Sequence, residues 1–215
     1  MSKTIESEKI ELAVAKAITD NLIKVLRPHS RIINEAGSVR REKEQVGDIE
    51  LVVLPSVITT SDLFEGTKVL GRTTGFINAV NGLGKRMKGL ATVSKSMQIM
   101  LSEQIKLDLF MPTETDYYRI WAMRTGSADY SRYEIAGAWS RKGWCGTTKG
   151  LRRKEECVQA QSKKWTCTAE NPTLPPAWTS ERAFFDFIEL AWKEPHLREH
   201  DPANFINNWE EVAYD

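Results

Sequence analysis

The run Gly47-Asp48-Ile49-Glu50-Leu51-Val52-Val53-Leu54 constrains the fold more than any other stretch of the chain. Residues 48–54 are rich in Ile, Leu and Val and read as a strand. Side chains alternate along a strand, so Asp48 and Glu50 share one face while Ile49 and Leu51 enter the core. A second strand is expected over 31–36, and Gly37-Ser38 breaks it. Two adjacent carboxylates repel each other and raise a pKa unless a cation lies between them. Hard oxygen ligands of this kind suit Mg²⁺. By itself a D-x-E reads more readily as two surface acids on an exposed sheet face. The Gly-Ser turn and Arg40-Arg41 shift that balance, because glycine-turn N–H groups, a hydroxyl and an arginine are what a triphosphate binds.

A third acid lies in Ile105-Lys106-Leu107-Asp108-Leu109-Phe110. Lys106 and Asp108 share one face, and Leu107 and Leu109 the other. An acid among apolar neighbours is costly unless it is paired or metal-bound. Three carboxylates from two strands are the minimum for a two-metal site.

The rest of the pattern gives a helix over 6–26, with Ile10, Val14, Ile18, Leu22 and Val25 on its apolar face, ended by Pro28. A helix is expected over 67–80, strands over 96–101 and 105–111, and helices over 116–124 and 128–142 with an interruption at Gly126. A hairpin over 155–168 should turn near Ser162-Lys163. A proline-rich connector over 171–177 precedes Ser180, expected to cap a helix carrying Phe184, Phe185, Phe187, Ile188 and Trp192. The fold class is α/β (α+β) with a mixed sheet: one domain over 1–115, then a smaller helical and hairpin domain over 116–215.

The 215 residues carry a net charge of +1, so total charge does not point to nucleic acid. Its distribution says more. Arg141, Lys142, Lys149, Arg152, Arg153, Lys154, Lys163 and Lys164 are opposed only by Glu155 and Glu156 across 141–164. That segment is either a phosphate-neutralising face or a solvated loop. No apolar run approaches the ~20 residues of a membrane span and no signal core is present, so a cytoplasmic location without membrane contact is expected. Cys145, Cys157 and Cys167 lack metal-type spacing, and the odd count suggests reduced thiols, with a Cys157–Cys167 bridge the lesser alternative. His29, His196 and His200 form no metal pair or triad, and His196 and His200 read as surface residues.

Gly-Ser, Arg-Arg, Gly-Asp-x-Glu and a distant Asp, in that order, resemble the palm of the DNA polymerase X family, the group containing polymerase beta and terminal transferase. Asp116-Tyr-Tyr-Arg-Ile-Trp-Ala-Met-Arg-Thr-Gly-Ser127 resembles the family's helix ending in Thr-Gly-Ser. The stretch 180–195 followed by Arg198 resembles the final thumb helix with its Glu-Pro-x-x-Arg ending. The likeness spans 5–200 and is weakest over 55–93.

The resemblance implies that Asp48 and Glu50 bind two Mg²⁺ ions, with Mn²⁺ able to substitute, and that Asp108 binds the catalytic one. It implies triphosphate contacts from Gly37, Ser38, Arg41 and Gly47, with Lys9 as a further phosphate-binding residue. Thr125, Gly126 and Ser127 would line the sugar, and Tyr130 would stack near the base. Lys106 would lie by the primer end. Arg132 and the segment with Arg152, Arg153 and Lys154 would grip DNA, with Trp165 beside it. The implied protein is a monomeric palm-plus-thumb DNA polymerase without helix-hairpin-helix domains. It would add dNMP from dNTP to a primer 3′-OH on primer–template or gapped DNA, in gap filling or short repair synthesis. Three departures stand out: Glu50 replaces the usual Asp, Met123-Arg124 replaces the aromatic beside the sugar, and Ser131 and Ile135 fall where base-pair-checking Asn and Arg are usual. They leave a template-independent nucleotidyltransferase as the alternative, and a non-catalytic nucleic-acid-binding module behind it.

Overall fold

The computed structural model describes residues 9–62, 66–162 and 164–201. The chain enters through a short strand β1 (Ile10–Glu11) and a helix α1 (Leu12–Leu26). The start of the expected 6–26 helix lies outside the described residues. The buried face of α1 is Ala15, Thr19, Leu22 and Leu26, whereas Val14 and Val25 are each 49% exposed. Ile10, Ile18 and Leu22 face the core as expected, and only Val14 and Val25 fall outside the buried stripe. Thr19 fits it because its hydroxyl donates to the Ala15 carbonyl at 2.8 Å, satisfying the buried group.

Strand β2 (Ser30–Glu35) runs into a single turn of helix, α2 (Gly37–Arg40), then β3 (Gln45–Val46) and β4 (Asp48–Pro55). A hairpin of β5 (Val57–Asp62) and β6 (Gly66–Arg72) follows, then α3 (Thr74–Asn81), capped by the Thr73 side chain accepting from the Phe76 N–H. The helix expected over 67–80 is therefore half strand. Its first part pairs with β5 in a two-stranded arm, with Val69 and Leu70 exposed.

Strands β7 (Lys85–Lys88), β8 (Ser96–Met100) and β9 (Lys106–Phe110) complete a five-stranded mixed sheet in the order β2-β4-β9-β8-β7. Only β4 and β9 run parallel; the other neighbours are antiparallel. Ile49, Leu51 and Val53 of β4, with Leu107 and Leu109 of β9, pack on α1 and α3 in the main core. The opposite face carries the acids.

Helix α4 (Tyr117–Thr125) crosses from this sheet into the remaining part of the molecule. Tyr117 sits among Ala36, Val52 and Leu54, and its hydroxyl donates to the Val52 carbonyl at 3.1 Å. The helix expected over 128–142 is present over 128–141, with a π-helical turn at Tyr130–Ile135 leading into α5 (Ala136–Arg141). Strands β10 (Trp144–Thr147) and β11 (Gly150–Arg153) form a hairpin inside the basic segment. Strands β12 (Cys157–Gln159) and β13 (Trp165–Cys167) form the expected second hairpin. The four make one sheet, ordered β11-β10-β13-β12.

Helix α6 (Glu181–Phe187) is capped as expected, the Ser180 hydroxyl accepting from the Ala183 N–H at 3.0 Å. It is shorter than expected. Glu189 takes a positive φ of 55°, and the chain leaves the helix before Trp192. Phe184, Phe185 and Ile188 pack with Tyr130, Ile135, Trp139, Trp144 and Trp178 in a second core. Among the described residues no helix is long and apolar enough to cross a membrane.

Candidate active site

Parallel pairing of β4 with β9 sets Asp48 opposite Lys106 and Glu50 opposite Asp108. Four charged side chains therefore meet on one sheet face, two residues apart along each strand. The Lys106 ammonium lies 3.1 Å from Asp48 Oδ2 and 2.9 Å from Asp108 Oδ2. Burial would lower its pKa, but hydrogen bonds to Asp108 and then Asp48 outweigh that and raise it. Lys106 thus supplies counter-charge within the acid group rather than standing apart from it.

Glu50 is half-buried. Burial, followed by the charge of Asp48, pushes its carboxyl up to about 7, against the opposing pull of Arg124. It lies over the turn after β2. A Cβ on Gly37 would fall 2.1 Å from Glu50 Oε2, and Gly37 has a φ of +60°, so steric space and backbone both require glycine. The strand break at Gly37-Ser38 is what admits Glu50 to this place. Ser38 Oγ and Asp108 Oδ1 are buried without a hydrogen-bond partner. A buried polar atom left unpaired is costly, and at a site it marks where a ligand would bond. Among the described residues the His, Cys, Asp and Glu side chains form no ready three-ligand metal cluster. The donor chemistry nonetheless fits a divalent cation: hard carboxylate oxygens on one face, one of them orphaned.

Beside the acids opens a cleft of about 800 Å³, lined by Lys9, Ser38, Arg41, Lys43, Gly47, Asp48 and His196 among others. This brings together four residues assigned to the metal or the triphosphate, and Lys9 with them. Two further lining residues, Lys43 and His196, carried no sequence signal. Lys43 is one charge in a charged run, and His196 arrives from the far end of the chain. Arg41 donates to the Thr125 carbonyl at 2.8 Å and to Glu199 Oε1 at 3.0 Å, while Lys43 lies 2.7 Å from the same Glu199 oxygen. An internal carboxylate therefore occupies two of the cleft's cations.

The residues expected on the sugar and base side are placed differently. Thr125 is fully buried, its hydroxyl donating to the Trp121 carbonyl and accepting from Arg40. Gly126 is buried, and a Cβ there would meet the Tyr130 ring at 2.6 Å. Tyr130 is 0% exposed in the second core, so its ring is a packing surface and not a face offered to a base. Ser127 is half-buried, and its hydroxyl accepts from the Tyr130 N–H at 3.1 Å. Ser131 and Ile135 are also core, the Ser131 hydroxyl donating to the Met123 carbonyl. Arg124, exposed, lies over the Phe110 ring at 4.0 Å.

Among the expected DNA-binding residues, Arg132 is exposed beside Tyr133. Arg153 lies over the Trp144 ring at 4.4 Å and donates to the Lys142 carbonyl, and Lys154 donates to the Ser140 carbonyl at 2.8 Å. Arg152 donates to the Leu151 carbonyl. These three half-buried cations sit on a folded hairpin and partly fasten it, rather than on a solvated loop. His200, expected at the surface, is half-buried against Tyr133 and bonds Glu134 at 3.1 Å.

A structural tie that sequence reasoning missed joins the Gly37–Arg40 turn to α6. Glu181 accepts paired bonds from Arg40 at 2.7 and 2.8 Å and from Arg198 at 2.7 and 2.9 Å. Burial raises the Glu181 pKa, but the Arg198 and Arg40 bonds overcome it and bring it to about 2. Arg40 also stacks on Trp121 at 3.7 Å. In sequence Glu181 reads as an ordinary acid in a helix's first turn, and nothing local reveals its two arginines.

Compared with known proteins, the sequence matches no protein-family model and no curated protein.

Proposed function

We propose that this chain is a metal-dependent nucleotidyltransferase of the polymerase X type, with the five-stranded sheet as palm and residues from 116 onward as thumb. One observation carries the reading: β4 and β9 bring Asp48, Glu50 and Asp108 onto one face, against the Gly37-Ser38 turn and a cleft that offers Lys9, Arg41 and Lys43 alongside Glu42 and Glu44. Asp48, Glu50 and Asp108 would hold two Mg²⁺ ions, which when bound neutralise developing charge and lower the pKa of an attacking hydroxyl. Arg41, Lys43 and Lys9 would hold the triphosphate by charge-assisted bonds, with the Ser38 hydroxyl as a further donor. Lys106 would keep the acids from repelling one another until the nucleotide complex arrives. The chemistry is in-line attack of a 3′-OH on the α-phosphate, with pyrophosphate leaving.

Template use separates two versions. Burial of Ser131 and Ile135 in the second core leaves neither able to check a base pair, which favours the template-independent version over DNA-directed gap filling. Primer extension decides both levels. Blunt, recessed, gapped and single-stranded DNA are offered with each dNTP and NTP in Mg²⁺ and in Mn²⁺. Incorporation that follows the template base supports the DNA-directed reading, and incorporation on single strands supports the alternative. No incorporation on any of them rejects the transferase.

A further inference from the structure

The four-stranded sheet gathers all three cysteines, which the proposed transfer reaction does not use. Cys157 opens β12, Cys167 closes β13, and the two are directly opposed. Flanking backbone bonds fix the type of this pair. The Thr168 N–H donates to the Glu156 carbonyl and the Ala160 N–H to the Lys164 carbonyl, both at 2.9 Å. Hydrogen-bonded and non-hydrogen-bonded pairs alternate along an antiparallel ladder. The pairs 156–168 and 160–164 are of the first type, so Cys157–Cys167 is of the second. That type brings Cα atoms to about 4.5 Å with both side chains on one face. A disulfide spans Cα separations of about 4.4–6.8 Å, so the backbone is already within range.

Cys145 approaches from β10. It is buried, with the Cys157 thiol close enough to affect its ionisation. Cys157 and Cys167 are both half-buried, within reach of a small oxidant, and all three are free thiols. Burial, then contact with Cys145 and Cys167, pushes the Cys157 thiol up to about 12, because a thiolate there would face two further sulfurs. A closed zinc site needs four ligands. Among the described residues no His, Cys, Asp or Glu joins these sulfurs in a metal-holding group.

We propose that Cys157 and Cys167 are an oxidation site that closes to an intrachain disulfide with a small-molecule disulfide such as oxidised glutathione, leaving Cys145 reduced. The Cys167 thiolate attacks one glutathione sulfur, and one glutathione thiolate leaves. Cys157 gives its proton to solvent, and its sulfur displaces the second glutathione from Cys167. Two protein thiols become one disulfide, and oxidised glutathione takes up two electrons and two protons to become two glutathione thiols. The new rung lies just inside the hairpin's base, where Glu156 already holds the Thr173 N–H and hydroxyl. It stiffens a hairpin that carries Lys164 and Trp165. Partial exposure keeps the bond on the reducible side.

The test uses the full chain, reduced and then incubated with oxidised glutathione, with remaining thiols alkylated and mapped by peptide mass. The expected result is alkylation at Cys145 alone and a cross-linked peptide joining 157 to 167, reversed by dithiothreitol. Cys145→Ser should retain the cross-link, and Cys157→Ser and Cys167→Ser should each abolish it. Three alkylated cysteines in the treated wild type, or a cross-link containing Cys145, would overturn the proposal. So would stoichiometric zinc retained by the purified wild type and lost in Cys145→Ser, which would make the cluster a metal site.

Discussion

Glu199 holds Arg41 and Lys43, the cations on which nucleotide binding is proposed to rest. Burial raises its pKa, but the hydrogen bond from Lys43 and the charge of Arg41 outweigh that and lower it, so it stays ionised at neutral pH. A triphosphate must compete with it. Glu199→Gln removes the competing charge and should tighten dNTP binding by about two- to fivefold, the scale of a partly exposed ion pair. Titration of dNTP into wild type and variant checks this, and weaker binding in the variant would mean Glu199 orders the cleft instead of competing for it. The same scale explains why the sugar-side assignments moved. Thr125, Gly126 and Tyr130 match a motif by residue type, but burial is a tertiary property: the hydroxyl of Thr125 already has both its partners within the chain.

At the scale of elements, Glu181 fastens α6 to the turn that carries Arg40, and its energetics are those of a buried pair. Removing one partner strands the others, so Glu181→Ala should cost about 3–5 kcal/mol in denaturant unfolding. The pH dependence has a definite sign. The folded pKa, about 2, lies below the ordinary glutamate value of 4.5. This stabilisation is therefore complete above about pH 4.5 and is lost as pH falls toward 2, on the order of 3 kcal/mol in all. Unfolding free energies of wild type and Glu181→Gln measured from pH 6 to 2 should converge as the acid protonates; a constant gap would show that Glu181 does not titrate in this window. Four of the sheet's five strands were legible in sequence; β7 was not, because Lys85–Lys88 is a short, charged and exposed edge segment with no apolar alternation. Strands at 48–54, 96–101 and 105–111 announce themselves by apolar alternation, and Ser180 by its capping position. The β5–β6 arm was not, because Val69, Leu70, Phe76, Ile77 and Val80 also fit a helical spacing, and the β-branched Val57, Ile58, Thr59 and Thr60 that mark its partner strand fall earlier. The β10–β11 hairpin was masked by its charge. Its turn is set by Gly150 at φ +96° and by the Thr147 hydroxyl donating to the Gly150 carbonyl at 2.8 Å.

For the whole molecule, the acid-bearing sheet and the second sheet with its basic hairpin are two surfaces of one proposed task, chemistry and grip. Replacing Arg152, Arg153 and Lys154 by Ala should flatten the salt dependence of DNA binding by up to about three units of log–log slope, because each phosphate contact releases roughly one counterion. A circular-dichroism melt must accompany it, since Arg153 and Lys154 also bind backbone carbonyls. An unchanged slope in a folded variant would assign these cations to hairpin structure alone. The acids were the most legible part of the site, since strand alternation alone places Asp48 with Glu50, and Lys106 with Asp108. Their parallel register, the seat of Glu50 over Gly37 and the arrival of Glu199 and His196 at the cleft depend on tertiary folding and leave no local mark. The proposed chemistry stands or falls with Asp108, which pairs with Lys106 and lies opposite Glu50. Single-nucleotide insertion into a DNA primer should be measured for wild type and Asp108→Ala in Mg²⁺, with matched thermal melts. The expected outcome is turnover by wild type, a loss of more than about a thousandfold in the variant, roughly 4 kcal/mol of transition-state stabilisation, and an unchanged fold. Turnover by Asp108→Ala near the wild-type rate would contradict the metal-site assignment outright.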